Sequence, residues 1–338
     1  MTQERPLVNI LHRYDTALFT PHFDPVQDGF DVVENGDAGR DWDLLVVFEA
    51  MAGRAACQMR SARTVFVAGE PPEIGRHARS FLSQFDAVFC AGAPLHAARL
   101  TSHEQHFNNW HFGFSAVAGA YRYDHRAIRD MPPAPKSLSL STVTSNLNYL
   151  PMHIRRRALL DRLAQDYGDR IDLFGRPHRF IEHKEDAILP YRFHICVENC
   201  AVPGLWTEKI ADALLGYAVP VYAGCPDIER YFPGATIAID LDDYAGTRRT
   251  VDAILTDGDA LYASHFDAVV AARRRLIDEY DMAALVRGQL RSAAVQSPRL
   301  VELRPEVDFP TARARAVLAR VRRKAAALAW RRKVARRG

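Results

Sequence analysis

The chain has 338 residues, 48% of them apolar and 25% charged, which is an ordinary globular composition with length for two domains. No stretch approaches the ~20 apolar residues of a membrane span, and the first residues lack the apolar core of a signal peptide. The five cysteines lie in apolar segments, which favours buried, reduced thiols over a disulfide framework. The composition therefore predicts a soluble, cytoplasmic protein and excludes a membrane-spanning or disulfide-stabilised one.

Short apolar runs alternate with helical stretches in the first part of the chain. The strands predicted there are Leu7–Leu11, Leu44–Phe48, Thr64–Ala68 and Ala87–Cys90. This alternation favours an α/β layer with a mainly parallel sheet. Residues 131–137 contain three clustered prolines, which continue neither a helix nor a strand, so they predict a linker after an N-terminal domain over residues 1–130.

The alternation restarts after the linker and predicts a second α/β domain over residues 138–300. Its predicted strands are Leu138–Thr142, Ile171–Phe174, Phe193–Val197 and Val219–Tyr222, and its predicted helices are Ile154–Tyr167 and a stretch from Asp267 to about Gln296. Between the last two strands, Thr207 is a good N-cap for a further helix, with Glu208 and Lys209 in its first turn.

Polar residues follow the predicted strand that ends at Val197. Glu198 and Asn199 come directly after it, and Glu208 and Lys209 open the next helix. In open α/β sheets, ligands bind outside the carboxyl ends of the strands, beside helix N-termini that attract anions. These four residues are therefore candidates for binding a nucleotide, although strand-end capping and a solvated helix turn are the alternative interpretations.

The last part of the chain is strongly basic. Of the 44 Lys and Arg residues, eleven lie from Arg313 onward, after the last acid at Asp308, so the remainder carries 33 basic against 41 acidic residues. Residues 311–338 predict a basic amphipathic helix that lies on an anionic membrane surface. A helix packed on the protein body and nonspecific polyanion binding are the alternatives, and no specific nucleic-acid partner is expected.

The segment from Phe193 to Pro233 carries a specific resemblance. Its pattern F(x)4EN…TEK…DA…VPV..G.P resembles the donor-binding segment of glycosyltransferase family 10, the α-1,3/1,4-fucosyltransferases. Further matches occur upstream in the family's order, namely Val65–Pro72, Asn109-Trp110, Thr144–Asn146, Arg156, Phe174–Arg176 and Lys184. The resemblance is close from about Ser137 to Tyr244 and looser from Arg63 to Phe114.

The resemblance implies a GT-B architecture, with two Rossmann-like α/β domains facing across a cleft and a basic C-terminal helix. It implies an inverting, metal-independent enzyme that moves L-fucose from GDP-fucose to a glycan hydroxyl, with no cofactor, in bacterial surface polysaccharide synthesis. The spacing of Glu198 and Glu208 differs from that of the paired glutamates of retaining GT-B enzymes, which favours the inverting course. The N-terminal domain would take the acceptor and the second domain the nucleotide sugar.

The resemblance also implies roles for individual residues. Glu70, in a Glu-Pro-Pro turn after a strand, is the candidate general base, with Glu73 as a nearby rival. The donor-binding candidates are Arg156 and Lys209 for the diphosphate, Glu208 for the ribose, and Asn199, Glu198, Ser145 and Asn146 for further donor contacts. Arg156 lies within Arg155–Arg157, so its register is uncertain by one residue.

Other signals carry little weight. Asp41 and Asp43 have the DxD spacing of metal-dependent GT-A transferases without other GT-A features, and His103, His106 and His111, like Cys196 and Cys200, lack metal-ligand spacing.

Leu205-Trp206 replaces an aromatic hydroxyl that the family often has before its TEK triplet, so donor identity is less secure than nucleotide class. A GT-B transferase for another nucleotide sugar, or a non-catalytic membrane-associated glycan- or nucleotide-binding protein, remain the alternatives.

Overall fold

The computed structural model of the chain describes most residues between 4 and 309. The described ranges are 4–37, 39–60, 63–74, 77–92, 100–176, 178–292 and 297–309, with positions 321 and 325 beyond them. The predicted tail helix over residues 311–338 lies almost wholly outside these ranges. No helix within the described residues is long and apolar enough to cross a membrane.

The secondary structure is mixed α/β. The strands are β1 (Leu7–Leu11), β2 (Asp31–Glu34), β3 (Asp41–Trp42), β4 (Leu44–Phe48), β5 (Ala55–Met59), β6 (Thr64–Val67), β7 (Ala87–Phe89), β8 (Leu100–Ser102), β9 (Phe114–Ser115), β10 (Ala120–Tyr121), β11 (Leu138–Val143), β12 (Asp172–Phe174), β13 (Tyr191–Val197), β14 (Val219–Ala223), β15 (Ile237–Ala238) and β16 (Arg299–Leu303). The α-helices are α1 (Pro25–Asp28), α2 (Arg79–Leu82), α3 (His125–Asp130), α4 (Pro151–Tyr167), α5 (Glu208–Leu215), α6 (Ile228–Tyr231), α7 (Tyr244–Glu279) and α8 (Met282–Ser292).

The chain divides into two compact units. Among the described residues, the N-terminal unit comprises 4–109, 124–126 and 279–309, and the C-terminal unit comprises 110–123 and 127–278. The sequence places the division at the 131–137 linker and ends the second domain at 300. The compact units differ from that scheme because residues 110–123 belong to the C-terminal unit, and the chain returns to the N-terminal unit at 279.

The N-terminal unit is built on a six-stranded sheet in the order β2-β1-β4-β6-β7-β8, and every pair is parallel. Leu44 and Val46 of β4 pack with Met282 and Val286 of α8, whereas Leu45 and its neighbours on the other face pack with residues of β16. Both faces of this parallel sheet are covered, which explains why β4 is apolar at every position.

The C-terminal unit has a five-stranded parallel sheet in the order β12-β11-β13-β14-β15. Every residue of β13 except Arg192 is buried. The predicted class, α/β with two Rossmann-like domains, is confirmed by the two parallel sheets.

The predicted helix over 267–296 is wrong in its extent. The helical segment α7 begins at Tyr244 and spans 36 residues, with a kink at Asp257 where the backbone is not helical, and α8 is a separate helix. Apolar periodicity alone did not detect the break after Glu279, where the chain passes from one unit to the other.

Candidate functional site

The carboxyl edge of the C-terminal sheet brings most of the predicted donor residues together. Because β11 and β13 are parallel neighbours, Ser145 and Asn199, which follow them, lie at the same edge. Helix α5 begins in the loop after β13, with Thr207 as its N-cap, and the Thr207 hydroxyl accepts a hydrogen bond from the Lys209 backbone N–H. This edge therefore combines strand ends with a capped helix N-terminus, as the sequence predicts.

Arg156 points into this edge from α4. Its guanidinium donates to the Val197 carbonyl at 3.3 Å, the Asn199 side-chain oxygen at 3.3 Å and the Ser145 hydroxyl at 3.4 Å. The residue is only 6% exposed. Burial lowers the Arg156 pKa, and the charges of Glu198 and Glu208 oppose that shift.

The orientation of α4 determines which of the three consecutive arginines, Arg155 to Arg157, points to the strand ends. Arg155 pairs with Asp242 at 2.9 Å, and Arg157 lies over Asp161 at 3.8 Å on the exposed side of α4. Arg156 is the arginine of this triplet that hydrogen-bonds Asn199, and its role as a donor ligand stays a prediction.

Asn199 is oriented by two donors. Its Oδ1 lies 3.3 Å from Arg156 Nη1 and 3.0 Å from His153 Nε2. A guanidinium only donates, so the oxygen must face Arg156, and His153 must therefore donate from Nε2. This leaves the two amide hydrogens of Asn199 available to a ligand oxygen.

His153 is a site residue that the sequence reasoning did not single out. It is fully buried, and burial together with the charge of Arg156 lowers its pKa to about 4, against the opposing effect of the Asn199 hydrogen bond. The imidazole is therefore neutral at pH 7, as the Nε2–H donor role requires. A histidine one turn from an arginine carries no sequence signal of its own, because its partner is distant in the chain.

His153 predicts a loss of stability in acid. Its pKa is about 4 in the folded chain and about 6.5 when unfolded, so between these values the unfolded chain binds more protons and stability falls as pH drops. Each pKa unit between the folded and the unfolded chain changes the free energy of unfolding by about 1.4 kcal/mol. We expect His153→Gln, which does not titrate, to lose less unfolding free energy between pH 6.5 and 4.5 in urea titrations. Parallel curves for the two proteins would contradict this.

Glu198 is placed as a capping residue. Its carboxylate is fully buried and accepts hydrogen bonds from the Thr207 backbone N–H at 2.9 Å and the Thr207 hydroxyl at 2.6 Å. Burial raises the pKa of Glu198 despite the nearby Lys209 charge. Gly224 makes room for it, because a Cβ there would lie 2.4 Å from Glu198 Cγ. The structure thus shows the capping role, and a donor contact for Glu198 stays a prediction.

Lys209 and Glu208 form a partly buried ion pair at the start of α5. Lys209 Nζ lies 2.9 Å from Glu208 Oε1, 3.1 Å from Thr207 Oγ1 and 3.7 Å from Glu198 Oε2. Burial acts to lower the Lys209 pKa, but the two carboxylates outweigh it and the pKa is raised. Burial acts to raise the Glu208 pKa, and Lys209, His111 and Lys184 together lower it. Both groups are therefore ionised at pH 7.

A second ion pair joins Asp212, on the same helix as Glu208, to Lys184. Asp212, fully buried on α5, accepts from Lys184 Nζ at 2.7 Å and from the backbone N–H groups of His111 and Phe112 at 3.0 Å each. Asp212 therefore fixes the backbone at His111 and Phe112, and the charge of His111 is among those that lower the Glu208 pKa. Lys184 has a place in the family pattern but no predicted role, and His111 falls within the predicted N-terminal domain over residues 1–130.

The remaining predicted donor residues, Ser145 and Asn146, are exposed to solvent. Both residues follow β11, and Ser145 contacts Arg156.

Leu205 and Trp206, which depart from the family pattern, are buried, and the Trp206 ring packs against Phe232 with the ring centroids 4.9 Å apart. This position therefore serves the core.

Glu70 belongs to the N-terminal unit. It is half-buried directly beyond β6, and its backbone carbonyl accepts from the Gln105 side chain at 2.8 Å. The Ile74 N–H bonds to the Pro71 carbonyl at 2.9 Å, which closes a turn after Glu70 and leaves Glu73 exposed. The roles of Glu70 and the donor residues stay predictions.

The described residues contain no group of three or more His, Cys, Asp or Glu side chains arranged to hold a metal ion. Metal-independent catalysis stays a prediction. All five cysteines are buried thiols, as the sequence predicts.

Comparison with known proteins shows what the C-terminal part of the chain is similar to. Residues 134–279 match the family described as glycosyltransferase family 10 (fucosyltransferase), C-terminal part. The chain is 34% identical over 114 residues to α-(1,3)-fucosyltransferase B of Drosophila melanogaster and 28% identical over 74 residues to α-(1,3)-fucosyltransferase FucT of Helicobacter pylori. These alignments cover 33% and 22% of this chain, and 24% and 15% of the two relatives.

Among solved structures, the chain is similar to a crystal structure of α1,3-fucosyltransferase with GDP. The TM-score is 0.48 and the identity 15%, over 82% of this chain and 92% of the other.

Proposed function

From the match of residues 134–279 to glycosyltransferase family 10, we propose that this chain is an inverting glycosyltransferase that moves L-fucose from GDP-fucose to a hydroxyl of a glycan acceptor. The observation that carries the proposal is the convergence of Arg156, Asn199, Glu208 and Lys209 at one strand edge beside the N-terminus of α5. Two cations, oriented amide donors and a helix N-terminus suit a nucleotide diphosphate.

The reaction follows from these groups. The acceptor oxygen attacks the anomeric carbon as the bond from that carbon to the β-phosphate oxygen breaks, which inverts the configuration. Glu70 takes the proton of the acceptor hydroxyl. Arg156 and Lys209 stabilise the negative charge that develops on the departing GDP, so the protein supplies the positive charge that a metal ion gives in other transferases. Glu208 accepts from the ribose hydroxyls, and Asn199 donates to a donor oxygen.

The inverting course is supported by the position of Glu198. Its two oxygens accept from Thr207 at the start of α5, so this carboxylate has a capping role and not that of a nucleophile, while a hydrogen-bond contact to the donor stays a prediction. We further propose that the protein works in bacterial surface polysaccharide synthesis and lies peripherally on the cytoplasmic membrane through residues 311–338. The basic composition of that tail supports this part of the proposal.

A second candidate is a transferase for another GDP-sugar. It is motivated by Leu205-Trp206, where the sequence lacks the aromatic hydroxyl that the family often has at this point. A donor panel of GDP-fucose and GDP-mannose, with product detection by mass spectrometry, separates the two candidates.

A thermal-shift panel with GDP, UDP, CMP and ADP in the presence of EDTA tests the proposal. A ligand at about 100 times its dissociation constant stabilises the fold by about 2.7 kcal/mol. Of the four nucleotides, we expect only GDP to raise the Tm, by several degrees. We also expect GDP-fucose to be consumed when acceptors are added. A shift with UDP alone would rule out GDP-fucose, and GDP binding without turnover of any GDP-sugar would favour the binding-protein alternative.

A further inference from the structure

Strands β6 and β7 are linked by a side chain beyond the end of their backbone pairing. The Ala68 N–H donates to the Phe89 carbonyl at 2.9 Å, which continues the parallel ladder just past β6. Two residues further along each segment, Gln105 Nε2 donates to the Glu70 carbonyl at 2.8 Å, and Gln105 Oε1 accepts from the Ala91 N–H at 2.9 Å. The Gln105 carboxamide therefore joins the two segments directly at Glu70.

The Gln105 side chain is held in one orientation. The residue is only 1% exposed. A backbone carbonyl only accepts and a backbone N–H only donates, so Nε2 must face Glu70 and Oε1 must face Ala91. Turning the amide over or withdrawing it would break both hydrogen bonds away from water, which is unfavourable. The bridge is therefore a fixed feature of this end of the sheet.

The turn that follows Glu70 packs on the segment that Gln105 binds. Gly92 comes one residue after the N–H that Gln105 Oε1 accepts, and its φ is +69°. An added Cβ at Gly92 would lie 3.5 Å from the Pro72 Cβ, so the turn is in close contact there. Pro71 and Pro72 also restrict the backbone on this side, because each ring fixes its own φ and limits the residue before it. The Glu70 backbone is thus held by Gln105 at its carbonyl and by the prolines after it.

A fixed backbone gives the Glu70 side chain a defined direction. The allowed rotamers of a side chain depend on the φ and ψ of its residue. Glu70 is half-buried, so its surroundings limit the rotamers further. For a group that takes a proton during a reaction, a displacement of about 1 Å can cost about 10²-fold in rate. A hydrogen bond that holds residue 70 in place therefore matters for a base at this position.

We propose that Gln105 is a positioning residue for Glu70. Its carboxamide holds the Glu70 carbonyl, and through the backbone it sets the direction in which the Glu70 carboxylate meets the acceptor hydroxyl. Gln105 acts through Glu70 and is not itself a catalytic residue. The inference rests on the proposed function, in which Glu70 is the general base.

The test is the Gln105→Met variant of the full chain, which keeps the length of the side chain and removes its amide. We expect kcat for GDP-fucose to fall about 10–10²-fold, because the base loses its placement. The KM for GDP-fucose and the Tm shift with GDP should be unchanged, since the donor residues belong to the C-terminal unit. GDP release is measured with whichever member of a methyl glycoside panel, water included, gives the highest rate.

Gln84→Met is the matched control. Gln84 lies in the same unit and makes the same kind of bridge, donating to the Arg304 carbonyl at 3.0 Å and accepting from the Arg304 N–H at 2.9 Å. This variant loses similar hydrogen bonds, none of them to residue 70, so its kcat should be close to that of the unchanged protein. The Tm of each variant is measured, and kcat is compared well below the lowest Tm, so that folded proteins are compared.

A second variant, Gln105→Glu, separates the hydrogen bond from the packing of the side chain. An ionised carboxylate only accepts, whereas the neutral acid can donate to the Glu70 carbonyl and accept from the Ala91 N–H. Burial favours the neutral form, and so does a lower pH. The ratio of kcat in this variant to kcat in the unchanged protein should therefore rise as the pH is lowered, while the same ratio for Gln105→Met should not change with pH.

The inference is overturned if Gln105→Met keeps its kcat, if it loses no more than Gln84→Met does, or if the Gln105→Glu ratio is independent of pH. A rise in KM for GDP-fucose in place of a fall in kcat would also overturn it, because the effect would then lie in donor binding. GDP release by the unchanged protein is read separately. If it releases no GDP with any acceptor, the proposed function fails; if it and Gln105→Met release GDP at the same rate, only the role of Gln105 fails.

Discussion

Replacing Arg156 by alanine is expected to reduce kcat/KM for GDP-fucose by about 10²–10³-fold, the usual cost of removing one preorganised group that stabilises developing charge. Arg156 is buried at the strand edge and also holds the Asn199 oxygen, so its loss removes a cation and releases a neighbouring donor. The measurement is release of GDP from GDP-fucose in steady state with an acceptor, together with the Tm shift that GDP produces.

The consecutive arginines supply matched controls for this experiment. Arg157→Ala removes an exposed arginine one residue away, whose partner Asp161 lies on the outer side of α4, and should keep activity within about twofold. Arg156→Lys keeps the charge but not the fork of N–H groups and should fall between the two. If Arg156→Ala and Arg157→Ala have equal activity, Arg156 is not the diphosphate ligand.

Replacing Glu70 by glutamine is expected to lower kcat about 10²–10⁴-fold, which is the range of a general base. Glutamine keeps the size of the side chain and the backbone bond that Gln105 makes to residue 70, so the turn after β6 should persist. The Tm shift with GDP should be unchanged, because the donor residues belong to the C-terminal unit.

Glu73→Gln is the control for the Glu70 experiment. Glu73 lies exposed in the same turn and is the nearest rival for the same role. Full activity in Glu70→Gln together with a large loss in Glu73→Gln would transfer the role of the base to Glu73. Full activity in both variants would remove this turn from the mechanism.

The central elements of both units could be predicted from the sequence. Strands β1 and β4 have the predicted bounds, and α4 ends at the predicted Tyr167. They are short apolar runs or long periodic segments bounded by Gly, Pro or capping residues, so local physical chemistry suffices to identify them. Helix α4 starts at Pro151, three residues earlier than predicted, because proline suits the first turn of a helix.

The sequence by itself also determined which polar residues follow the strand ending at Val197 and which residues open α5, because chain order and helix capping are local. Only the tertiary structure decided what these residues contact. In the folded chain Arg156 donates to Asn199, and Glu198 accepts from Thr207. His153 also contacts Asn199, and Lys184 pairs with Asp212. Those contacts join residues 9 to 46 positions apart, so the packing of parallel strands and helices, and no local pattern, brings them together.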